Sequence, residues 1–157
     1  MATIETALQI AAKAHEGQKD KEGLPDILHP LRVMHRVEGM DAQIVAILHD
    51  VIEDTSVTLD DLRKAGFSET ILTAVGCVTH GKGESYAEYV IRCKPDPIGR
   101  QVKLADLEDN SRLSRMILQP DRFEKDVARM RKYALAYKFL TDQLTEAAYR
   151  RLMADGS

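Results

Sequence analysis

Apolar residues recur along most of the chain at intervals of three and four, and strand-like alternation never lasts beyond a few residues. That spacing lines up side chains on one stripe of a helix, so the pattern predicts an all-α protein. A first helix is expected from about Thr3 to His15, with Ile4, Ala7, Leu8 and Ala11 on its stripe. Thr3 is its N-cap with Thr6 behind it, and Gly17 ends it. The segment from Gly17 to Pro25 is polar, glycine-bounded and closed by proline, which marks an exposed loop. A second helix begins near His29-Pro30, where proline is tolerated in the first turn. Asp41 is expected to cap a third helix, Ala42 to about Glu53, that is apolar nearly all round through Ile44, Val45, Ile47, Leu48, Val51 and Ile52. Such a helix belongs in the core.

Thr58 to Asp61 resembles an N-terminal capping arrangement for a short helix ending at Gly66, and Ser68 opens another through Val78. Gly81 and Gly83 break the chain again. Further helices are expected over Glu84 to Cys93, Ile98 to about Ser114, Asp121 to about Leu140 and Asp142 to Met153, separated by Pro95, Pro97 and Pro120. The expectation is one domain over residues 1–157, a bundle of eight or nine helices in which the helices of 121–153 pack on the rest. A chain of this length can bury a sizeable core without disulfides.

Composition narrows the function classes. The 22 basic and 25 acidic residues give a formal charge of −3, with the two signs mixed. Duplex nucleic acid calls for a concentrated positive face, so a nucleic-acid binder is not expected; a small phosphorylated ligand is compatible. No apolar run approaches the roughly 20 residues that span a bilayer, and the N-terminus lacks a signal-peptide pattern, so a soluble, cytoplasmic protein without membrane partners is expected. Cys77 and Cys93 lie in apolar helical patterns without CxxC spacing and read as small buried hydrophobes.

Candidate chemistry lies where polar residues interrupt apolar helices: His29, His49-Asp50 and Asp106. A buried carboxylate without a partner costs several kcal/mol, and a shared metal would satisfy all four residues together. Imidazoles mixed with carboxylates suit Mn²⁺, Fe²⁺ or Zn²⁺ better than Ca²⁺ or Mg²⁺. On a helix, Glu53 follows His49 by four residues and Asp54 follows Asp50 by four, which adds two carboxylates to the same faces. Lys103 and Asn110 share one side of their helix with Asp106, whereas Glu108 and Asp109 read as an ordinary solvated face.

The ordered motifs resemble the HD-domain superfamily of metal-dependent phosphohydrolases, in particular the hydrolase domains of the RelA/SpoT type and the small alarmone hydrolases. The resemblance covers roughly Ala7 to Leu113 and rests on Ala11 to Gln18, Ile27 to Leu31, Ile47 to Thr55, Val57 to Leu59, Val78-Thr79, and Val102 to Asp106 with Asn110. It implies metal ligands at His29, His49, Asp50 and Asp106, usually around one Mn²⁺. It implies catalytic acids at Glu53 and Asp54, a nucleotide contact at Asn110, and phosphate-side cations at Lys21 and Lys103. The activity it implies is hydrolysis of the 3′-diphosphate of guanosine tetra- or pentaphosphate. In that scheme the metal activates a water while Glu53, through Asp54 or directly, orients it and moves its proton.

Three departures from the family pattern fall where substrate is read. The first loop carries Asp20-Lys21 in place of a basic pair, Asp26 stands in the tripeptide before His29, and Leu113 stands where threonine is usual. They keep adenine alarmones, NADPH and nucleoside monophosphates open as substrates, and a non-catalytic nucleotide sensor as the contrary class. Among the remaining residues, His15 reads as a capping or core histidine, His35 as half-exposed and His80 as a helix C-terminal cation. Tyr86 and Tyr89 read as a core stripe, with Tyr86 a pocket wall as the alternative. The charged run Arg122 to Lys132 reads as a solvated or subunit-packing face, which leaves room for a homodimer.

Overall fold

A computed structural model describes residues 1–116 and 120–156, and the described residues form ten α-helices, a 3-10 turn at Leu113–Arg115 and no strand. The expected domain also includes residues 117–119 and 157, which lie outside that description. The helices are α1 (Ile4–Ala14), α2 (Leu28–Met34), α3 (Met40–Leu48), α4 (Val51–Asp54) and α5 (Leu59–Lys64). They continue with α6 (Glu69–Cys77), α7 (Tyr86–Cys93), α8 (Pro97–Asn110), α9 (Phe123–Leu140) and α10 (Glu146–Ala154). None is long and apolar enough to cross a membrane.

Local chemistry sets most of these boundaries. Thr3 and Thr6 make the reciprocal bonds of a capping box at α1, as do Thr58 and Asp61 at α5. Ser68 caps α6, Ser85 caps α7 one residue beyond the expected start at Glu84, and Asp96 caps α8 through the Gly99 amide with Pro97 in the first turn. Helix α8 stops at Asn110 rather than near Ser114, and α9 starts at Phe123 rather than Asp121. Thr145 rather than Asp142 opens α10; Asp142 takes a positive φ of 62° and ion-pairs with Lys94 and Arg100.

The third helix departs most from expectation. Gly39, at φ 91°, is its N-cap, and Asp41 instead lies in the first turn, where a negative charge favours the helix dipole. The single helix expected through Glu53 is divided at His49-Asp50 into α3 and the one-turn α4. The His49 ring donates from Nδ1 to the Ala46 carbonyl at 2.7 Å, an oxygen that a continuing helix would reserve for the Asp50 amide. The backbone loosens more than it turns: His49 keeps φ −61° and ψ −34°, and Asp50 moves to φ −95° and ψ −10°.

Two apolar clusters hold the bundle. The larger packs α1, α2, α3 and α6 with one face of α8, and α3 is its centre, with Val45, Ala46, Ile47 and Leu48 wholly buried. The second joins Tyr89 and Val90 of α7 and Leu107 of α8 to Ala136, Phe139, Leu140 and Tyr149 from α9 and α10. Because α7 and α8 contribute to both clusters, the two should melt together. Leu140→Ala should therefore cost about 3 kcal/mol and lower the melting temperature by roughly 9 °C in one cooperative transition, read by circular dichroism. A separate early transition confined to α9 and α10 would contradict shared stabilisation.

Candidate metal centre

Four elements bring the chemistry-bearing side chains together. Helix α2 supplies His29, the α3–α4 junction supplies His49 and Asp50, α4 supplies Glu53 and Asp54, and α8 supplies Lys103, Asp106 and Asn110. His29, His49 and Asp106 are buried, at 4, 3 and 5% exposure, and Asp50 is half-buried. The two Nε2 atoms lie 3.3 Å apart. Asp106 Oδ1 is 3.0 Å from His29 Nε2 and 3.6 Å from His49 Nε2, and Asp50 Oδ2 is 3.6 and 3.2 Å from the same two atoms. Ligands about 2.1 Å from one shared ion stand about 3.0 Å apart on octahedral edges and about 3.4 Å apart in a tetrahedron. The observed spacings bracket those values.

The far side of each imidazole fixes which nitrogen is available. His49 Nδ1 donates to the Ala46 carbonyl, and His29 Nδ1 donates to Asp109 Oδ2 at 2.7 Å. Both acceptors are oxygens, so both protons sit on Nδ1 and both Nε2 lone pairs face the cluster. Without a metal those lone pairs must take protons to approach the carboxylates. Burial pushes both pKa values down, but the facing carboxylates outweigh it. Asp50 and Asp106 raise His49 to about 9, and Asp106 and Asp109 raise His29. A cluster that recruits protons so strongly is one that a divalent cation fits.

Asp106 is tied on every side. Lys103 Nζ donates to its Oδ2 at 2.8 Å and Asn110 Nδ2 to its Oδ1 at 2.7 Å. Burial opposes charge on Asp106, but the Lys103 ammonium and the imidazoles hold its carboxyl well below the usual range, and Asp106 keeps Lys103 protonated in turn. Lys103 and Asn110, expected at substrate, thus spend these hydrogen bonds on a ligand while still lining the cavity. Glu53 and Asp54 are exposed at the mouth, and Glu53 Oε2 accepts from the His80 amide at 3.1 Å. Partial burial raises Asp54 to about 6, with the charges of Asp50, Glu53 and Asp26 adding to it.

The cavity over this cluster measures 380 Å³, and its other walls are Asp26, His80, Tyr86, Tyr89, Arg115, Lys132 and Tyr133. A smaller cavity of 110 Å³, lined by Lys21, Arg115, Arg129 and Asn110 among others, adjoins it through Asn110, Arg115 and Tyr133. Lys21 belongs to the smaller cavity and does not line the larger one. Asp20 also lines the smaller cavity: its Oδ1 accepts from the Glu22 and Leu24 amides at 2.9 and 3.0 Å and so shapes the loop, while its Oδ2 lies 3.9 Å from Arg115. His15 ends α1 and bonds Gln18 at 2.9 Å. His80, half-buried, donates from Nε2 to the Glu84 carbonyl and stacks on Tyr89, and His35 is exposed.

Asp109 overturns the solvated-face reading. It has no exposed surface, bonds His29 and accepts from Arg32 Nε at 3.0 Å. Burial alone would raise its pKa, but His29 and Arg32 hold it below the usual carboxylate range. The signal was present: Val102, Asp106 and Asp109 recur at four and three along α8, the period of its buried face. Arg115, Arg129, Lys132 and Tyr133 were also missed as cavity walls, because the residues they face lie far away in sequence.

No family model matches the chain. It is 35% identical over 144 residues to a GTP pyrophosphokinase of Streptomyces coelicolor, which covers 83% of this chain and 17% of that protein. Over 119 residues it is also 35% identical to a guanosine-3′,5′-bis(diphosphate) 3′-pyrophosphohydrolase of Aquifex aeolicus, covering 68% of this chain and 17% of the relative. The chain therefore spans about a sixth of the length of these curated relatives. A solved metazoan SpoT orthologue, described as hydrolysing ppGpp, superposes with a TM-score of 0.62 at 23% identity, covering 91% of this chain and 96% of its own.

If Asp109 fixes the His29 tautomer, Asp109→Asn should weaken Mn²⁺ binding about 10- to 100-fold with the helical content unchanged. Competition against a chromogenic chelator measures this. An unchanged affinity would remove Asp109 from the metal's support.

Proposed function

We propose that the chain is an HD-domain hydrolase of the kind found in RelA/SpoT-type proteins, a divalent-metal phosphohydrolase acting on the 3′-diphosphate of guanosine tetra- or pentaphosphate; its likeness to a curated 3′-pyrophosphohydrolase and to the fold of the solved SpoT orthologue supports the reading. The observation that carries the reading is the convergence of two Nε2 lone pairs and two carboxylates at ligand spacing, beside Glu53 and Asp54 in a cavity with cationic walls. His29, His49, Asp50 and Asp106 would hold the ion, with Mn²⁺ first and Fe²⁺ or Zn²⁺ behind it for a mixed imidazole–carboxylate donor set. When bound, such a cation supplies Lewis acidity toward a phosphoryl oxygen and lowers the pKa of water.

The chain's own residues do the rest. Glu53, braced by the His80 amide, orients the attacking water, and Asp54 accepts its proton. The new bond joins the water oxygen to phosphorus, the bond from phosphorus to the 3′ oxygen breaks, the proton taken by Asp54 passes to that oxygen to give the 3′-hydroxyl, and diphosphate leaves. Arg115 and Lys132 neutralise its charge, and Lys21 in the adjoining cavity serves phosphates further along the substrate. Lys103 and Asn110 act through Asp106, fixing its two oxygens.

One observation favours a second reading within the same chemistry. Asp26 lines the metal cavity and Asp20 caps loop amides, so the first loop offers a single cation, Lys21, and adds a carboxylate to the site. That balance suits a less highly charged nucleotide, such as NADPH or a nucleoside monophosphate. Incubating Mn²⁺-loaded protein with ppGpp, ppApp, NADPH and nucleoside monophosphates, and separating products by chromatography, ranks the two. Inertness across the panel with metal bound would leave only a nucleotide sensor.

Two variants separate the roles. Asp50→Ala should lose both bound metal and turnover, whereas Glu53→Gln should keep the metal and lose at least about 100-fold in turnover, as expected for removal of an acid–base group. Turnover in metal-stripped Asp50→Ala protein would refute the scheme. The pH profile follows from Asp54: its pKa is raised, so it is protonated and unable to accept a proton below that value. kcat/KM should fall as pH drops through about 6 or, with the cation bound, somewhat lower. Asp26→Asn removes one of the charges that raise Asp54, so the acid limb should move to lower pH in a rate profile.

A further inference from the structure

Tyr86 and Lys132 wall the metal cavity on one side and a second, larger cavity of 740 Å³ on the other, between α7, α9 and α10. Its volume is that of a site for a small organic ligand, about 300–1,000 Å³. Tyr86, Ala128 and Met153 give it apolar walls, while Lys125, Arg129, Arg131, Lys132 and Arg150 bring five cations against one lining carboxylate, Glu88. Arg150 already takes Glu88 together with Glu146, and Arg129 takes Asp126. Lys132 rests its ammonium on the Tyr86 and Tyr133 rings, 4.4 and 5.4 Å from their centroids. Its burial, with Lys103 and Arg129 nearby, lowers its pKa, the mark of a place short of negative charge.

Like charges converging on a concave surface repel one another and focus a positive potential that an anion relieves. An inorganic anion would satisfy the cations and leave the apolar walls wet. A ligand with a flat apolar end and a polyanionic end satisfies both. We propose that this cavity is a second ligand site, separate from the metal centre, that takes a nucleoside polyphosphate. The base lies against Tyr86, Ala128 and Met153, and the phosphates meet Lys125 and Arg131, with Lys132 in the wall shared with the metal cavity. The charged run of α9, expected to face solvent or another subunit, is one wall of this site. Occupancy bears on Tyr86 and Lys132, which also wall the metal cavity, and so alters substrate KM. The inference goes beyond the proposed hydrolysis, since binding here requires no turnover.

The test is a titration with β,γ-methylene-GTP, a probe with a non-hydrolysable terminal linkage, at low ionic strength by calorimetry. Wild type and Asp50→Ala should both bind it, within about twofold of each other. Lys125→Glu/Arg131→Glu should bind at least tenfold more weakly while retaining native helicity and wild-type basal kcat. Ala128→Trp, which fills the apolar wall without changing charge, should also lose at least tenfold and guards against a folding artefact in the double variant. Tripolyphosphate should bind at least tenfold more weakly than the nucleotide. Wild-type affinity in both groove variants, or loss of binding in Asp50→Ala, would overturn the second site, and equal affinity for tripolyphosphate would overturn the nucleoside contact. These titrations read out even if no substrate of the panel is hydrolysed.

Discussion

The arrangement depends on one electrostatic constraint, the ionised Asp106 carboxylate held inside a helical bundle. A charge that deep is tolerated only when every lone pair is engaged. Here Lys103 and Asn110 take one direction each, and the two imidazoles stand over the remainder. The demand reaches outward: His29 must be anchored by Asp109, Asp109 by Arg32, and His49 by the main chain of its own helix. Each partner lies on α2, α3 or α8, the helices that also pack the larger apolar cluster. Core packing and ligand placement are thus one problem with one solution.

How much of this was legible beforehand follows from the range of the forces involved. Capping is local, so Thr3, Thr58 and Ser68 announced their helices, and the apolar stripes announced the all-α class. His29, His49, Asp50 and Asp106 stood out because each interrupts an apolar run; each carboxylate lies within 3.6 Å of both Nε2 atoms, and the ligand atoms that all lie close to one another are those of His29, His49 and Asp50. The division of α3 was hidden, because it depends on a side chain competing for a backbone carbonyl, a choice that helix propensity does not encode. Asp109 was hidden by its neighbours: beside Glu108 and Asn110 it looked like surface, and only the rotation of α8 shows that Glu108 faces out while Asp109 faces in.

The cationic side of the cavity was the least legible part. The family resemblance suggested Lys21 and Lys103, yet Lys103 is bound to Asp106 and Lys21 sits in the adjoining recess. Arg115 and Lys132 approach from the C-terminal third, beyond the span in which motifs were recognisable. Helix α9 and the 3-10 turn before it therefore complete the wall facing the metal centre, while α9 and α10 form an apolar cluster with α7 and α8.

The two histidines are anchored by different acceptors, and this makes them unequal. A carboxylate behind an imidazole pulls harder on its Nδ1 proton than a peptide carbonyl does, so the two rings are tuned from behind by unlike partners. An ion held between them would sit in a lopsided field. Toward α2 and α8 the donors His29 and Asp106 are buried and tied from behind, whereas Asp50, at the loosened α3–α4 junction, is half-buried. That more open side also carries Glu53 and Asp54, so entry of an ion and of water would share one door.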